Sequence, residues 1–499
     1  MNKVVYTPSQ QEAITTHGKN LLVSAGAGSG KTTVLVRRII CWLNDGGSLD
    51  RLLALTFTNA AAADMRIRIA EALQQAIAAD PDNLHLSRQA ALVQQAHIGT
   101  IHSFCLDLLR SHYYQIGLPA GFKVAGELDS QMMRNEVMEE MLEQEYADPS
   151  SCLSELADRY GGSHSDKELV NLIYKLYDFC QSRPNPSAWL QEAAAGYLPQ
   201  DSLDHHNWAQ FLSSDIAGSI SGIAGSLQQA VRLDGVPQKW RQQLEEERQA
   251  LLFIAQHGVG LTERLQRMRG MSWERLKPVG KAVCDFDENG EAVNPYDDLA
   301  RERFKNYRDA AKKDFKDLSD RCAMFDPNDV WSDLTALFPL VNGLCGLVMR
   351  FGEMLAARKQ IKAVVDFADM EHMALKLLAL DEVAEEMHAQ FDEVLIDEYQ
   401  DINEVQEAIL KQLAAPGRLF AVGDVKQSIY RFRLAEPGLF LDKYERYGCH
   451  QGGSRIDLNE NFRSSKTIIN GVNYLFRQMM SRNVMEIDYE AAAEMKPGL

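Results

Sequence analysis

Apolar and polar positions follow two different periods along this chain. Near the N-terminus, short apolar runs alternate with stretches of helical spacing. Asn20–Ser24 reads as a buried strand, a glycine-rich turn follows, and Thr33–Ile40 carries apolar residues at helical intervals. Leu52–Phe57 predicts a second strand and Ala60 to about Ala78 a long alanine-rich helix. His97–Ile101 predicts a third strand, running through His102-Ser103-Phe104 into another helix. From Tyr114 to Ile361 the period is almost wholly helical, broken at the turn-rich stretches Ser182–Pro186 and Asp285–Pro295. Strand-like runs return at Phe391–Ile396, at Leu419–Gly423 and from Ile456. Strands alternating with helices predict an α/β fold, a parallel sheet covered on both faces. The helical middle reads as a domain inserted into it. The expected division is a first motor-type domain over 1–113 and 362–455, an insertion over 114–361, and the start of another α/β domain over 456–499.

Chemistry clusters where the strands end, which is where parallel sheets bind ligands. Ala25-Gly26-Ala27-Gly28-Ser29-Gly30-Lys31-Thr32 lies between strand and helix, the setting of a phosphate-binding loop. Its glycines let consecutive N–H groups face a phosphate, and the helix N-terminus adds partial positive charge. Lys31 can reach the β- and γ-phosphates, and the Thr32 hydroxyl can hold Mg²⁺. Ala25 departs from the general pattern, which starts with Gly. Gln10, at a short helix start, offers a donor and an acceptor suited to the adenine edge. Asp397-Glu398 follows the Phe391–Ile396 strand: Asp397 can bind Mg²⁺, and Glu398 can orient and deprotonate an attacking water. In Gly423–Arg433, Gln427 can sense a γ-phosphate while Tyr430 and Phe432 can stack on bases. Arg463 is a candidate for stabilising charge on a transferring phosphate. Thr56–Asn59 and Thr100–Ser103 fall on the same edge. Arg301–Lys316 interleaves basic and aromatic residues, which suits either a phosphate backbone or a solvated helix face with internal ion pairs.

Bulk properties narrow the picture slightly. At 499 residues the chain needs more than one core. The eight cysteines form no CxxC pair, so neither a metal framework nor disulfides are expected and a reducing cytoplasm fits best. No apolar run is expected to approach membrane-spanning length, and Met1–Pro8 lacks the apolar core of a signal peptide. A net charge of −18 argues against coating nucleic acid non-specifically. It leaves room for a local basic channel, because charges act over only about 8 Å at physiological salt.

Taken in order, the Gln10 helix, Ala25–Thr32, Thr56–Asn59, Gly99–Ser103, Asp397–Asp401, Gly423–Arg433 and Asn461–Ser464 resemble superfamily 1 DNA helicases of the UvrD/Rep type, where Ala at position 25 is usual. Val422–Pro437 and Val365–Met370 are similar to the AddA subunits of bacterial AddAB helicase–nucleases. The resemblance implies a P-loop NTPase with a RecA-like sheet. It further implies a 3′→5′ motor at broken DNA ends in recombinational repair, with ATP and Mg²⁺ as cofactors and an AddB-type partner. It places Ala25, Gly26, Ala27, Gly28, Ser29, Gly30, Lys31, Thr32, Thr33 and Asp397 around Mg-ATP, with Glu398 as base. Gln427 and Arg463 are expected on the γ-phosphate, with Gln10 reading adenine and Phe462 stacking on it. Phe57, Thr58, Asn59, Thr100, His102, Tyr430, Phe432 and Arg433 are expected along the single strand. Ala60 stands where a lysine is frequent and Phe432 where many relatives carry Trp. The later helicase motifs and the nuclease carboxylates of that family have no match after Arg463. The chain is therefore expected to be an N-terminal fragment that hydrolyses ATP poorly and unwinds nothing alone.

Overall fold

The computed structural model describes residues 6–161, 165–198, 203–280, 282–322, 327–480, 489 and 493–498. Part of Met1–Pro8 and part of the expected 456–499 domain lie outside these. Two compact units emerge, one of residues 1–190 and 343–499, the other of residues 191–342. The expected 114–361 insertion is therefore wider than the second unit, because 114–190 and 343–361 pack with the first.

The first unit is built on a six-stranded sheet: β1 (Leu21–Ala25), β2 (Leu52–Thr56), β3 (His97–Thr100), β4 (Glu393–Ile396), β5 (Leu419–Gly423) and β6 (Ser454–Leu458). The spatial order is β6-β1-β5-β4-β2-β3. Every pairing is parallel, for example Val23 opposite Val422 and Leu395 opposite Phe420. Alternate residues feed opposite cores. Leu21, Val23, Ala54, Leu395, Phe420 and Val422 join Leu35, Ile39, Met65 and Ile69 on one face. Leu22, Leu53, Leu55, Val394, Ile396 and Ala421 join Leu377, Ile409 and Phe440 on the other. Burial on both faces is why these strands read as unbroken apolar runs.

Strand β6 corrects the expected boundary at 455/456. It pairs with β1 along Leu21–Ala25, so residues 456–458 complete the first sheet. Asp285–Pro295, read as a break, contains an antiparallel hairpin of Cys284–Phe286 with Ala292–Pro295. Lys123–Val124 pairs in parallel with Val364–Val365, bringing together the points where the chain leaves the α/β layer and comes back.

In the second unit, Trp240, Phe304, Phe315 and Leu318 belong to one buried cluster. The basic–aromatic stretch 301–316 is resolved by this packing. Phe304 and Phe315 are core, Arg308 is buried against Glu247, and Lys312, Lys313 and Lys316 face solvent. The interleaving is that of an amphipathic helix, Asp298–Cys322.

The expectation about apolar runs is also corrected. Within helix Pro327–Lys362, the stretch Ser332–Lys362 contains a window of mean hydropathy 1.6, long and apolar enough to cross a membrane by length and composition alone. Its C-terminal part packs on protein: Phe351 meets the rings of Tyr174 and Tyr177, and Arg358 pairs with Glu136 and Glu140. All eight cysteines are free thiols.

Candidate nucleotide and nucleic-acid site

All six strands deliver their motifs to one edge of the sheet. Helix α1 (Pro8–Thr15) starts with a capping box in which the Gln10 side chain accepts from the Thr7 N–H at 3.0 Å. The same amide donates to the Ser29 carbonyl at 2.9 Å, and Gln10 is only 6% exposed. Gln10 thus buckles the loop to α1; that second role was not visible from its position alone. Within the loop, Gly28 and Gly30 have φ of +72° and +85°, a conformation that favours glycine. A Cβ on Gly28 would also come within 2.8 Å of the Arg463 Cβ and 2.9 Å of the Asn461 Oδ1. The Gly26 N–H donates to the Leu458 carbonyl of β6 at 3.1 Å. Ala25 and Ser29 are buried, and the Ser29 hydroxyl has no hydrogen-bond partner. Ala27 is exposed and Gly26 buried. Helix α2 (Lys31–Asn44) then presents Lys31, Thr32 and Thr33 in its first turn.

The segment after β6 straps across this loop. Asn461 donates to the Ala27 carbonyl at 2.7 Å and accepts from the Arg463 and Ser464 N–H groups at 2.8 Å each. The Phe462 N–H donates to the Gly28 carbonyl at 2.9 Å. Phe462 and Arg463 therefore lie beside the loop with exposed side chains, as the sequence leads one to expect. Asn461, the buried residue that sets their position, was named only as part of its motif.

The carboxylates come from β4. Lys31 Nζ lies 2.9 Å from Glu398 Oε2, joining residues 367 positions apart. Glu398 has φ of +54°, a conformation that costs about 1–3 kcal/mol for a non-glycine residue and is concentrated at functional sites. It also accepts from Gln400 Nε2 at 2.8 Å. Asp397 accepts from the Glu398 N–H, and burial, with Glu398 beside it, pushes its carboxyl up to about 6 against the opposing pull of Lys31. Asp401 is likewise pushed up to about 6 by burial and Glu398. Gln400, 2% exposed, reaches across to β5, where its Oε1 accepts from the Asp424 N–H at 3.0 Å. Asp424 pairs with Lys426 at 2.7 Å and accepts from Gln427 Nε2 at 2.8 Å. A continuous polar chain thus runs Lys31–Glu398–Gln400–Asp424–Gln427. The linking residues Gln400 and Asp424 had no role assigned from sequence. Their only signal is that each is a polar residue just beyond a buried strand.

Beyond Gln427 the surface becomes aromatic. Phe57, after β2, meets Tyr430 with ring centroids 4.7 Å apart, and Tyr430 meets Phe432 at 5.7 Å. The Arg433 guanidinium sits 5.3 Å from the Tyr430 ring centre and 5.8 Å from those of Phe57 and Phe432. Phe432 is 76% exposed. Next to this group lies a cavity of ≈ 520 Å³ lined by Phe57, Asn59, His102, Phe367, Glu398 and Arg433 among others. Two helices begin at it, Asn59–Ala79 and Ile101–His112. Thr58 and Thr100 cap them, each hydroxyl accepting an N–H of its own helix. Those two threonines therefore hold the helix starts, whose N-termini favour anions. His102 lies 3.1 Å from the buried Glu371.

The arrangement has known counterparts. The UvrD/REP helicase N-terminal domain matches residues 6–448. The chain is 40% identical to the AddA proteins, the ATP-dependent helicase/nuclease "A" subunits, of Listeria monocytogenes serotype 4b (strain F2365) and of Geobacillus kaustophilus (strain HTA426), over 99% of its own length. It is also 40% identical to the protein of that name from Desulforamulus reducens, over 100% of its length. It spans about two-fifths of each relative, 41% in all three cases. With the family match covering most of the chain and its motifs gathered on one sheet edge, this protein belongs to the UvrD/REP helicase family through that N-terminal domain.

Proposed function

We propose that this chain is the ATP-binding motor portion of an ATP-dependent DNA helicase–nuclease. The Lys31–Glu398 contact carries the reading, because it joins the phosphate loop to the carboxylate pair. On this reading the loop N–H groups and Lys31 take up the triphosphate of ATP. Lys31 exchanges Glu398 for phosphate oxygens, which frees the Glu398 carboxylate. Glu398 then accepts a proton from water as that oxygen bonds to the γ-phosphorus and the bond to the β–γ bridging oxygen breaks, giving ADP and phosphate. Mg²⁺ supplies charge neutralisation at the phosphates when bound, and the Thr32 hydroxyl and Asp397 carboxylate would hold it. The residues fit such an ion: the raised Asp397 carboxyl reports a pocket with an excess of negative charge. The orphaned, buried Ser29 hydroxyl marks polar capacity in the loop itself.

Gln427 and Arg463 lie on the far and near sides of the loop for γ-phosphate contact, and Gln10 and Phe462 for adenine. Gln10 can read adenine only by giving up one of its two present bonds. Phe57, Tyr430 and Phe432 offer stacking faces to a single strand, with Asn59, His102 and Arg433 on its phosphates. Translocation 3′→5′ at double-strand ends, an AddB-type partner and a cytoplasmic setting complete the proposal, in keeping with the names of the relatives. The test is ATP turnover with and without single-stranded DNA in the full-length protein carrying Glu398→Gln. Turnover and translocation should vanish with ATP binding retained. If the substitution is silent, the chain is a non-catalytic, ATP-gated DNA-binding module instead.

A further inference from the structure

On the sheet edge opposite the phosphate loop, one ring nitrogen of His17, the Cys41 sulfur and an Asp45 carboxylate oxygen lie within 4.8 Å of one another. Cys41 and Asp45 are four residues apart at the end of α2, so they share a helix face. They sit at its negative C-terminal end, where cations are favoured. His17 comes from the turn between α1 and β1. Its Nδ1 is 2.7 Å from Glu393 Oε1, and Glu393 is itself held by Arg38 at 3.1 and 3.2 Å. Arg38 in turn bonds the carbonyls of Ala13 and Thr16, tying α1 into the same network. A carboxylate that fixes Nδ1–H leaves Nε2 as the free lone pair, which is the outer-shell arrangement of metal-bound histidines. Here Nε2 is buried and has no hydrogen-bond partner.

We propose that His17 Nε2, Cys41 Sγ and Asp45 form a binding site for a borderline divalent cation of the zinc class. A nitrogen, a thiolate and a carboxylate are the donors zinc takes, at about 2.0–2.3 Å, so the three atoms draw together around it. Asp45 is exposed, and water completes a tetrahedron on that side. Binding displaces the Cys41 thiol proton to solvent. The occupied site clips α1 to the far end of α2. Since α1 also holds the phosphate loop through Gln10, the clip stiffens the frame behind the nucleotide without touching it.

The experiment titrates metal-stripped protein with Co²⁺ alone and reads the sulfur-to-cobalt charge-transfer band, which requires thiolate coordination. One equivalent should produce the band. Cys41→Ser should abolish it, while Cys449→Ser, removing an exposed thiol elsewhere, should leave it unchanged. Outer-shell changes at metal sites cost about 10–100-fold in affinity, so removing a ligand by Asp45→Asn or His17→Gln should cost at least about tenfold. In the unaltered protein, Zn²⁺ should slow alkylation of Cys41 relative to Cys449, mapped by peptide mass. That measurement needs no variant to fold. Absence of the band at one equivalent, a band that survives Cys41→Ser, or equal alkylation of Cys41 with and without Zn²⁺ overturns the proposal.

Discussion

The phosphate loop and the aromatic surface share one sheet edge yet are built on opposite principles. Around the loop nearly every polar side chain already has a partner: Gln10 on Ser29, Asn461 on Ala27, Lys31 on Glu398, Gln400 on Asp424. These residues are buried or partly buried, and the geometry is set before any ligand arrives. Around Phe57, Tyr430 and Phe432 the contacts are ring faces and one guanidinium, and Phe432 stands in solvent. A triphosphate has one shape and rewards donors fixed in advance. A strand whose bases vary rewards flat surfaces that accept any base. The contrast predicts that chemistry and strand affinity respond to different substitutions.

The sharpest way to break it is Glu398→Gln. Turnover should fall about 10²–10⁴-fold, read by phosphate release, with single-strand affinity unchanged. An equal loss of strand affinity would show that the two regions are one site. Phe432→Ala should do the reverse. Loss of one stacking surface costs about 1–3 kcal/mol, roughly 5–150-fold in strand affinity by fluorescence anisotropy, with ATP affinity retained. Because Phe432 is mostly exposed, the melting temperature should hardly move.

Acidity sharpens the comparison further. With the Asp397 carboxyl at about 6, Mg-dependent nucleotide affinity of the free protein should fall as pH drops through 6, about tenfold per unit below it. Strand stacking should not follow. The linked effect on stability has the other sign. Folding raises this carboxyl above its unfolded value, so the folded state binds the extra proton between about pH 4 and 6 and stability declines as pH rises through that window. The smallest effect is expected from Thr58→Ala, which removes a helix cap and should cost about 1 kcal/mol in denaturant unfolding, leaving turnover nearly intact.

The strands were legible because burial on both faces imposes unbroken apolar runs. The phosphate loop was legible because glycine at positive φ and a following lysine leave a compositional mark. What could not be read were partners distant in the chain. Nothing in the surroundings of Gln400 says that its amide bridges β4 to β5. Thr58 and Thr100 look like ligand residues by position, and only the folded structure shows their hydroxyls bound to their own helices. Strand β6 misled because its motif resembles the start of a new domain, whereas parallel pairing with β1 assigns it to the first. The basic residues of 301–316 misled for a related reason: Phe304 and Phe315 face inward, a direction that spacing alone leaves open.

The short ladder of Lys123–Val124 against Val364–Val365 carries a last consequence. It works as a doorway whose two jambs are hydrogen-bonded to each other. Whatever lies between them can lengthen, shorten or be exchanged over evolutionary time while the engine behind the door keeps its alignment. A helicase built this way can change its attachments without redesigning its power stroke.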